Sequence, residues 1–549
     1  MSGTVPSPHG SPAPTPVVPS APALPVSAHA TSATALAATR RQVLVGGAVG
    51  LGAAALAGIG APAAHAAAAP RARSRVSDPF TLGVASGDPL PDGVVLWTRL
   101  APDPLAEDGL GGMPDRRVRV LWQVSENEDF RGVAASGHVE TGPEAAHSVH
   151  VEVNGLRPGA TYFYRFRTGN EISPVGRTRT APAPGSSPDR FSFAFASCQN
   201  YTQGHYTAQA HLAEEDLDLV AFLGDYIYEG GGQGTIGRGH LPAHETTSLS
   251  DYRIRHAQYK TDEGLRAAHA AFPWAVVFDD HEVENNWADD TSYGQDVDPR
   301  EFLRRRARAF QAYYEHMPLR SAQRPDGPDL RLFRRLSYGD LVDLYLLDTR
   351  QYRSVQDDVG RDDPARTLLG QQQREWLFDG LAGSRARWNV LAQQVFFSQR
   401  DFADGDDTAF SDDAWDNYRV ERDSVRDRLA HAANPVVVTG DVHANYVCDV
   451  KADFDDPDSA TVATELVGTS FTSGGDGLDQ RPTDAVQLRE NPHIHYVNRR
   501  RGYVRNVVTP TEWTADYRVV DYVSEPGAPV GDLARFVIDE GTPGVRPRG

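Results

Sequence analysis

The sequence predicts an α/β protein in which an all-β segment precedes a larger region of strands alternating with helices. Three observations carry that reading. From residue 79 to about residue 180, short runs alternate apolar with polar residues between turn residues. From Asp189 onward, apolar runs of four to seven residues alternate with stretches of helical periodicity. Six of the seven apolar runs are followed within three residues by Cys, Asp or Gln, where ligands collect beyond the carboxyl ends of α/β strands.

Residues 1–66 read as a delivery segment. A Pro-, Ala- and Ser-rich stretch over 2–38 leads to Arg40-Arg41, an apolar run over 43–59 and the small-x-small cleavage pattern Ala64-His65-Ala66. The twin arginines point to twin-arginine export of a folded, secreted protein, and the run is too short and glycine-rich for a stable membrane anchor. Strands are expected at 93–98, 118–124, 148–153 and 161–167, which makes 78–180 an antiparallel β-sandwich domain. The turn Asn154-Gly155-Leu156-Arg157-Pro158-Gly159 resembles that of fibronectin type III modules. Residues 181–188 are a linker by composition. A catalytic domain over 189–540 follows, with strands at 191–196, 217–223, 275–278, 342–347, 389–392, 435–438 and 465–468 and helices at 300–316 and 370–381.

Composition narrows the function classes. With 549 residues and 40% hydrophobic content the chain buries at least one large core. Its formal charge of −20 becomes −22 without residues 1–66, which hold Arg40 and Arg41 and no acid. Such a chain repels nucleic acid and anionic membranes, so it carries no nucleic-acid-binding module. A phosphorylated substrate would need positive charge supplied locally, as by bound cations. Two cysteines, Cys198 and Cys448, exclude a disulfide scaffold.

The polar residues at the strand ends form four motifs in order. Ser197-Cys198-Gln199-Asn200 follows the first strand and Gly224-Asp225-Tyr226-Ile227-Tyr228 the second. Asp279-Asp280-His281-Glu282-Val283-Glu284-Asn285-Asn286 follows the third, and Gly440-Asp441-Val442-His443-Ala444-Asn445 a late one. Asp225 stands three residues before Tyr228. A carboxylate bridges two cations and a phenolate caps one, and tyrosine ligation is mostly a property of ferric sites. Together the motifs point to phosphate-ester cleavage at a buried metal cluster.

The arrangement resembles the PhoD-like alkaline phosphatases and phosphodiesterases of the calcineurin-like metallophosphoesterase superfamily, from about residue 79 to near residue 514. Asp-Asp-His-Glu, Gly-Asp-x-His and Cys198 in place of the usual aspartate are the departures that mark this group. The resemblance implies a metallophosphoesterase-type αββα sandwich behind a fibronectin-III-like β-sandwich. It also implies one Fe3+ and two Ca2+. Cys198, Tyr228, Asp225 and His443 would supply three anions and an imidazole to the ferric ion. Asp225 as bridge, Asp280, Asn286 and Asp441, with Gln393 as a further candidate, would give calcium an all-oxygen site. Asn285 competes with Asn286 for that place. His281 matches the catalytic histidine of the superfamily and is expected to assist the leaving oxygen, with Glu282 supporting the cluster from behind.

Arg253 and Arg255 are candidates to clamp phosphate, since guanidinium matches it bidentately. Asp348 and Arg350 read as a structural ion pair, 401–413 and 453–458 as solvated acidic loops, and Asn491–Tyr496 with Arg501-Gly502-Tyr503 as a lining or cover for the mouth of the site. The expected reaction is in-line displacement on small-molecule or lipid phosphate mono- and diesters at alkaline pH. Phospholipase D-type cleavage of phospholipids is the neighbouring alternative. A non-enzymatic calcium-binding surface protein is the remote one, and it leaves the thiol and phenol unexplained. The oligomeric state is not legible.

Overall fold

The computed structural model describes residues 78–547 apart from 295 and 357–359, so the expected export segment lies outside the described residues. Two large sheets form the body, one of ten strands and one of seven, and a five-stranded sheet stands beside them. In the ten-stranded sheet Phe191–Ala196, Leu219–Phe222 and Pro273–Val276 run parallel in register, Ala221 facing both Phe195 and Ala275. Val342–Leu346, Trp388–Gln393, Pro435–Thr439 and Thr461–Val467 run parallel in the seven-stranded one.

Alternation along these strands explains the layering. Leu344, Leu346, Val390, Ala392, Val436 and Val438 face a central core shared with Phe193, Phe195, Phe222 and Trp274 of the other sheet. The intervening Tyr345, Leu347, Leu391 and Val437 face outward onto Leu377 and Leu381 of helix Gly370–Gly383 and Val425 and Leu429 of helix Arg419–Leu429. Successive strand side chains point to opposite faces, so strands apolar throughout must be covered on both sides. Helices Leu249–Lys260, Glu263–Ala271 and Pro299–His316 cover the ten-stranded sheet through Tyr252, Leu265 and Phe310. The result is the expected αββα sandwich.

The N-terminal β-sandwich is present, and one of its sheets is continuous with the body. Val84–Leu90, Gly93–Arg99 and Ser148–Asn154 extend the ten-stranded sheet, Ser86 and Gly87 pairing in parallel with Pro273 and Trp274. Val94, Leu96, Val149 and Val151 pack against Val120, Val124, Tyr162 and Phe166 of the five-stranded sheet. Gly87 lies at this seam, and a Cβ there would come 2.4 Å from the Pro318 carbonyl oxygen. The described residues accordingly form one compact unit. No helix among the described residues is long and apolar enough to cross a membrane.

Candidate metal centre

Four strand ends deliver the candidate ligands. Phe191–Ala196 leads into Cys198, Leu219–Phe222 into Asp225, Pro273–Val276 into Asp279 and Asp280, and Pro435–Thr439 into Asp441 and His443. Each chain reverses abruptly here: Cys198, Asp225, Asn286, Asp441 and His443 all adopt left-handed backbone, with φ of 59°, 56°, 53°, 62° and 52°. That conformation costs a non-glycine residue of order 1–3 kcal/mol, and it persists only where the surroundings impose it. Gly224 is among the imposing contacts, since a Cβ on it would sit 2.4 Å from that of Asp279.

The ligand atoms fall into three overlapping groups, each within 4.8 Å internally: Cys198, Asp225 and His443; Asp225, Asp280 and His281; Asp279, Asp280 and Asp441. Asp225 and Asp280 each belong to two groups, as bridging carboxylates would. Tyr228 joins the first, its hydroxyl donating to Asp225 Oδ2 at 2.9 Å and lying 3.2 Å from His443 Nε2. Ser473 Oγ donates to the same hydroxyl at 2.6 Å. Asn286 donates its N–H to Asp280 Oδ2 at 2.7 Å and is half-buried, whereas Asn285 is exposed, which favours Asn286 of the pair.

Whether these residues fit cations is tested by what they lack. Asp225 Oδ1, Asp279 Oδ2 and Asp280 Oδ1 are buried without a hydrogen-bond partner. A buried unpaired carboxylate oxygen is costly, and the usual compensation is a partner charge or a metal. Burial, then the charges of Asp225 and Asp441, pushes the Cys198 thiol up; burial and Asp225 push the Tyr228 phenol up. Neither ionises unaided, and an adjacent cation reverses that balance. Sulfur, phenol, carboxylate and imidazole on one side and oxygen alone on the other fit two kinds of cation.

Around the ligands a buried frame holds the loops. Glu282 accepts from the N–H groups of Asp225, Tyr226 and Asp279 at 3.1, 2.6 and 2.9 Å, tying two motifs together. Arg350 donates through Nε to Asp279 at 2.6 Å and through both terminal nitrogens to Asp413 at 2.7 and 2.8 Å. His281 packs at a tilt of 33° on Tyr228 with centroids 4.1 Å apart, and its Nδ1 lies 2.6 Å from Glu229 Oε2. Burial would lower its pKa, but Glu229, Asp280 and Asp225 together raise it well above the ordinary value. Glu229 thus aims His281, with Nε2 left toward the site.

Several expectations are corrected. Arg253 is buried against Glu315, with bonds of 2.7 and 2.6 Å, because its helix packs on Pro299–His316. Arg255 spends its guanidinium on the carbonyl oxygens of Tyr228, Gly230, Leu241, Pro242 and His244. Neither is free to clamp phosphate. Gln393 is no ligand: it accepts from Trp415 Nε1 at 3.1 Å and donates to Thr439 Oγ1 at 2.7 Å. Asp348 accepts backbone N–H groups of Arg350 and Gln351 rather than pairing with the Arg350 guanidinium. Asp413 is buried in an ion pair instead of solvated. Arg501 lies behind the site, donating to the His443 carbonyl oxygen at 2.9 Å. Both cysteines are free thiols. Glu229 and Ser473 went unread, although Glu229 directly follows Tyr228 and a carboxylate there was a usable signal.

The carboxylates make a pH prediction. Burial, with Asp413 and Asp280, raises Asp441 from 3.8 to about 7, and burial raises Glu282 from 4.5 to about 8. Folded values above unfolded ones mean stability that is complete below the ordinary carboxylate range and lost as pH rises through about 7 and 8. His443, held down to about 3 by burial and Arg501, contributes the opposite slope, but only below its ordinary 6.5. Chelator-stripped protein should therefore melt at progressively lower temperature from about pH 6.5 to about pH 9, and the stabilisation on reloading metal should grow across that window. Thermal melts with and without metal check this; a metal effect that shrinks with rising pH would contradict it.

A buried multi-carboxylate cluster with thiol, phenol and imidazole, at the strand ends of an αββα sandwich, is a candidate metal centre of the kind a phosphoesterase carries. The profile of the PhoD-like phosphatases matches residues 193–517, and that of the PhoD-like phosphatase N-terminal domain matches residues 64–182. The chain belongs to the PhoD-like phosphatase family. It is 51% identical to alkaline phosphatase D of Bacillus subtilis (strain 168) over 486 residues, 86% of this chain and 82% of that one. The solved structure of PhoD superposes with a TM-score of 0.83 at 50% identity, over 88% of this chain and 94% of the other. A purple acid phosphatase from yellow lupin (Lupinus luteus) seeds shares the fold, with a TM-score of 0.51 at 12% identity over 83% of this chain and 73% of its own. The protein is accordingly a hydrolase of phosphoric esters.

Proposed function

We propose that the chain is an exported alkaline phosphatase and phosphodiesterase whose centre holds one Fe3+ and two Ca2+. Cys198, Asp225, Tyr228 and His443 would hold the ferric ion, and Asp225, Asp280, Asn286 and Asp441 the calcium ions. The observation that carries this is the shared focus of Cys198, Asp225 and His443, with the Tyr228 hydroxyl on Asp225. When bound, the cations would offset phosphoryl charge and lower the pKa of water. His281, oriented by Glu229, would give a proton to the departing alkoxide oxygen. Glu282 and Arg350 fix the ligand loops, so the site is organised before substrate arrives. The twin arginines Arg40 and Arg41 support twin-arginine export, testable by the location of the mature protein in an Arg40→Lys, Arg41→Lys variant.

Purification without chelator should give a coloured protein with iron and calcium by elemental analysis. Tyr228→Phe should shift or remove the visible charge-transfer band while the far-ultraviolet circular dichroism stays unchanged. A band indifferent to that substitution would remove the phenolate assignment. Release of choline against release of inorganic phosphate from phospholipid separates phospholipase D-type cleavage from phosphomonoester hydrolysis.

A further inference from the structure

A cavity of about 500 Å³ opens beside the ligand cluster, with Arg400, Phe402, Asp441, His443, Arg481 and Arg499 in its lining. Arg499 is committed, its guanidinium bonded to both Asp484 carboxylate oxygens and to Tyr446 Oη. The other two arginines are not. Arg400 is 7% exposed, and its Nε is buried without a hydrogen-bond partner. Its guanidinium lies among aromatic faces, 4.2 Å from the ring centroid of Phe396 and 4.8 Å from that of Phe402, with no carboxylate paired to it among the described residues. Arg481 is exposed at the N-terminus of helix Pro482–Glu490, and its guanidinium has no ion-pair partner among the described residues. Among the described residues the one carboxylate in the lining is Asp441, whose charge Arg400 feels but which is itself a member of the metal-ligand cluster.

Buried guanidinium without an anion is unfavourable, and aromatic faces offset only part of that cost. In a chain of net charge −20, two arginines at one cavity beside the reaction centre, neither bonded to a carboxylate among the described residues, form an exception that a negative ligand would complete. We propose that this cavity is a second anion subsite, holding a carboxylate or phosphate on the alcohol portion of the ester while the transferred phosphoryl group lies at the metal ligands. The proposal rests on the phosphoesterase reading and narrows its substrates to compact phosphoesters with a further negative group a few bonds from the ester oxygen.

Glycerol 3-phosphate, 3-phosphoglycerate and glycerol 1,3-bisphosphate supply a neutral, a carboxylate and a phosphate arm for the metal-loaded enzyme. A charge-assisted hydrogen bond predicts kcat/KM on the order of 10-fold higher for the carboxylate or the phosphate arm than for the neutral one. Arg481→Gln should bring that ratio close to one. Calorimetric titration with 3-phosphonopropanoate against propylphosphonate should give the same preference without turnover, and the same loss in the variant. Because Arg481 is exposed, its replacement tests the subsite even if Arg400→Gln fails to fold. Equal kcat/KM and equal affinity across the arms, or a preference that survives Arg481→Gln, overturns the subsite. Hydrolysis of p-nitrophenyl phosphate with no such preference removes the subsite alone; inertness toward every ester removes the phosphoesterase reading with it.

Discussion

Asp225→Asn is expected to lower kcat/KM for p-nitrophenyl phosphate by well over about 100-fold, since losing even an outer-shell partner of a metal ligand typically costs about 10- to 100-fold. Asp225 is common to two of the ligand groups, and one of its oxygens is buried with no other partner. The amide keeps the shape and removes the charge. Burial first, and the neighbouring Asp280 and Asp279, already push the Asp225 carboxyl up against the pull of His281. The stripped variant should therefore be at least as stable as stripped wild type, which separates lost chemistry from lost folding. Metal content, kcat/KM and melting temperature measured together decide the matter. Activity within a few-fold of wild type at full metal content would mean that Asp225 bridges nothing.

The second large effect is on stability. Arg350 is fully buried and engages Asp279 and Asp413, with Asp280 at 3.7 Å. Arg350→Met leaves the buried Asp279 without its cation and Asp413 with Arg353 alone, and breaking such a network costs about 3–5 kcal/mol. Equilibrium denaturation in urea measures it. Asp279→Asn in the same chain should recover part of the loss, because it removes the charge left without a cation, and the double-mutant cycle isolates that coupling. A destabilisation below about 1 kcal/mol would place the network in the surface class of ion pairs.

The body of the fold was legible because its strands are apolar without interruption. The runs expected at 191–196, 342–347 and 435–438 fall within a residue of Phe191–Ala196, Val342–Leu346 and Pro435–Thr439. The motifs at their ends converge for the same reason, since parallel strands carry their C-terminal residues to one rim. Val84–Leu90 escaped notice because Ser86-Gly87-Asp88-Pro89 breaks alternation, and with it went the continuity between sandwich and body. Arg253 and Arg255 misled because a guanidinium in sequence carries no sign of what neutralises it. Glu315 meets Arg253 only through helix packing, 62 residues away, and backbone carbonyls leave no trace in composition. The Arg350–Asp413 bond was hidden likewise, its acid lying in a run that reads as solvent-facing. What the sequence withheld was chiefly the pairing of charges across distance.

Cys198, Asp225, Asn286, Asp441 and His443 share a handedness that glycine would adopt at no cost. The scaffold therefore carries a standing thermodynamic handicap concentrated where coordination is required. In the metal-free protein, replacements at these five positions would relax the chain, each while deleting a donor and the stabilisation that bound metal supplies. Durability and turnover are set against each other by the backbone itself, and hardening this enzyme means working at a distance from its rim.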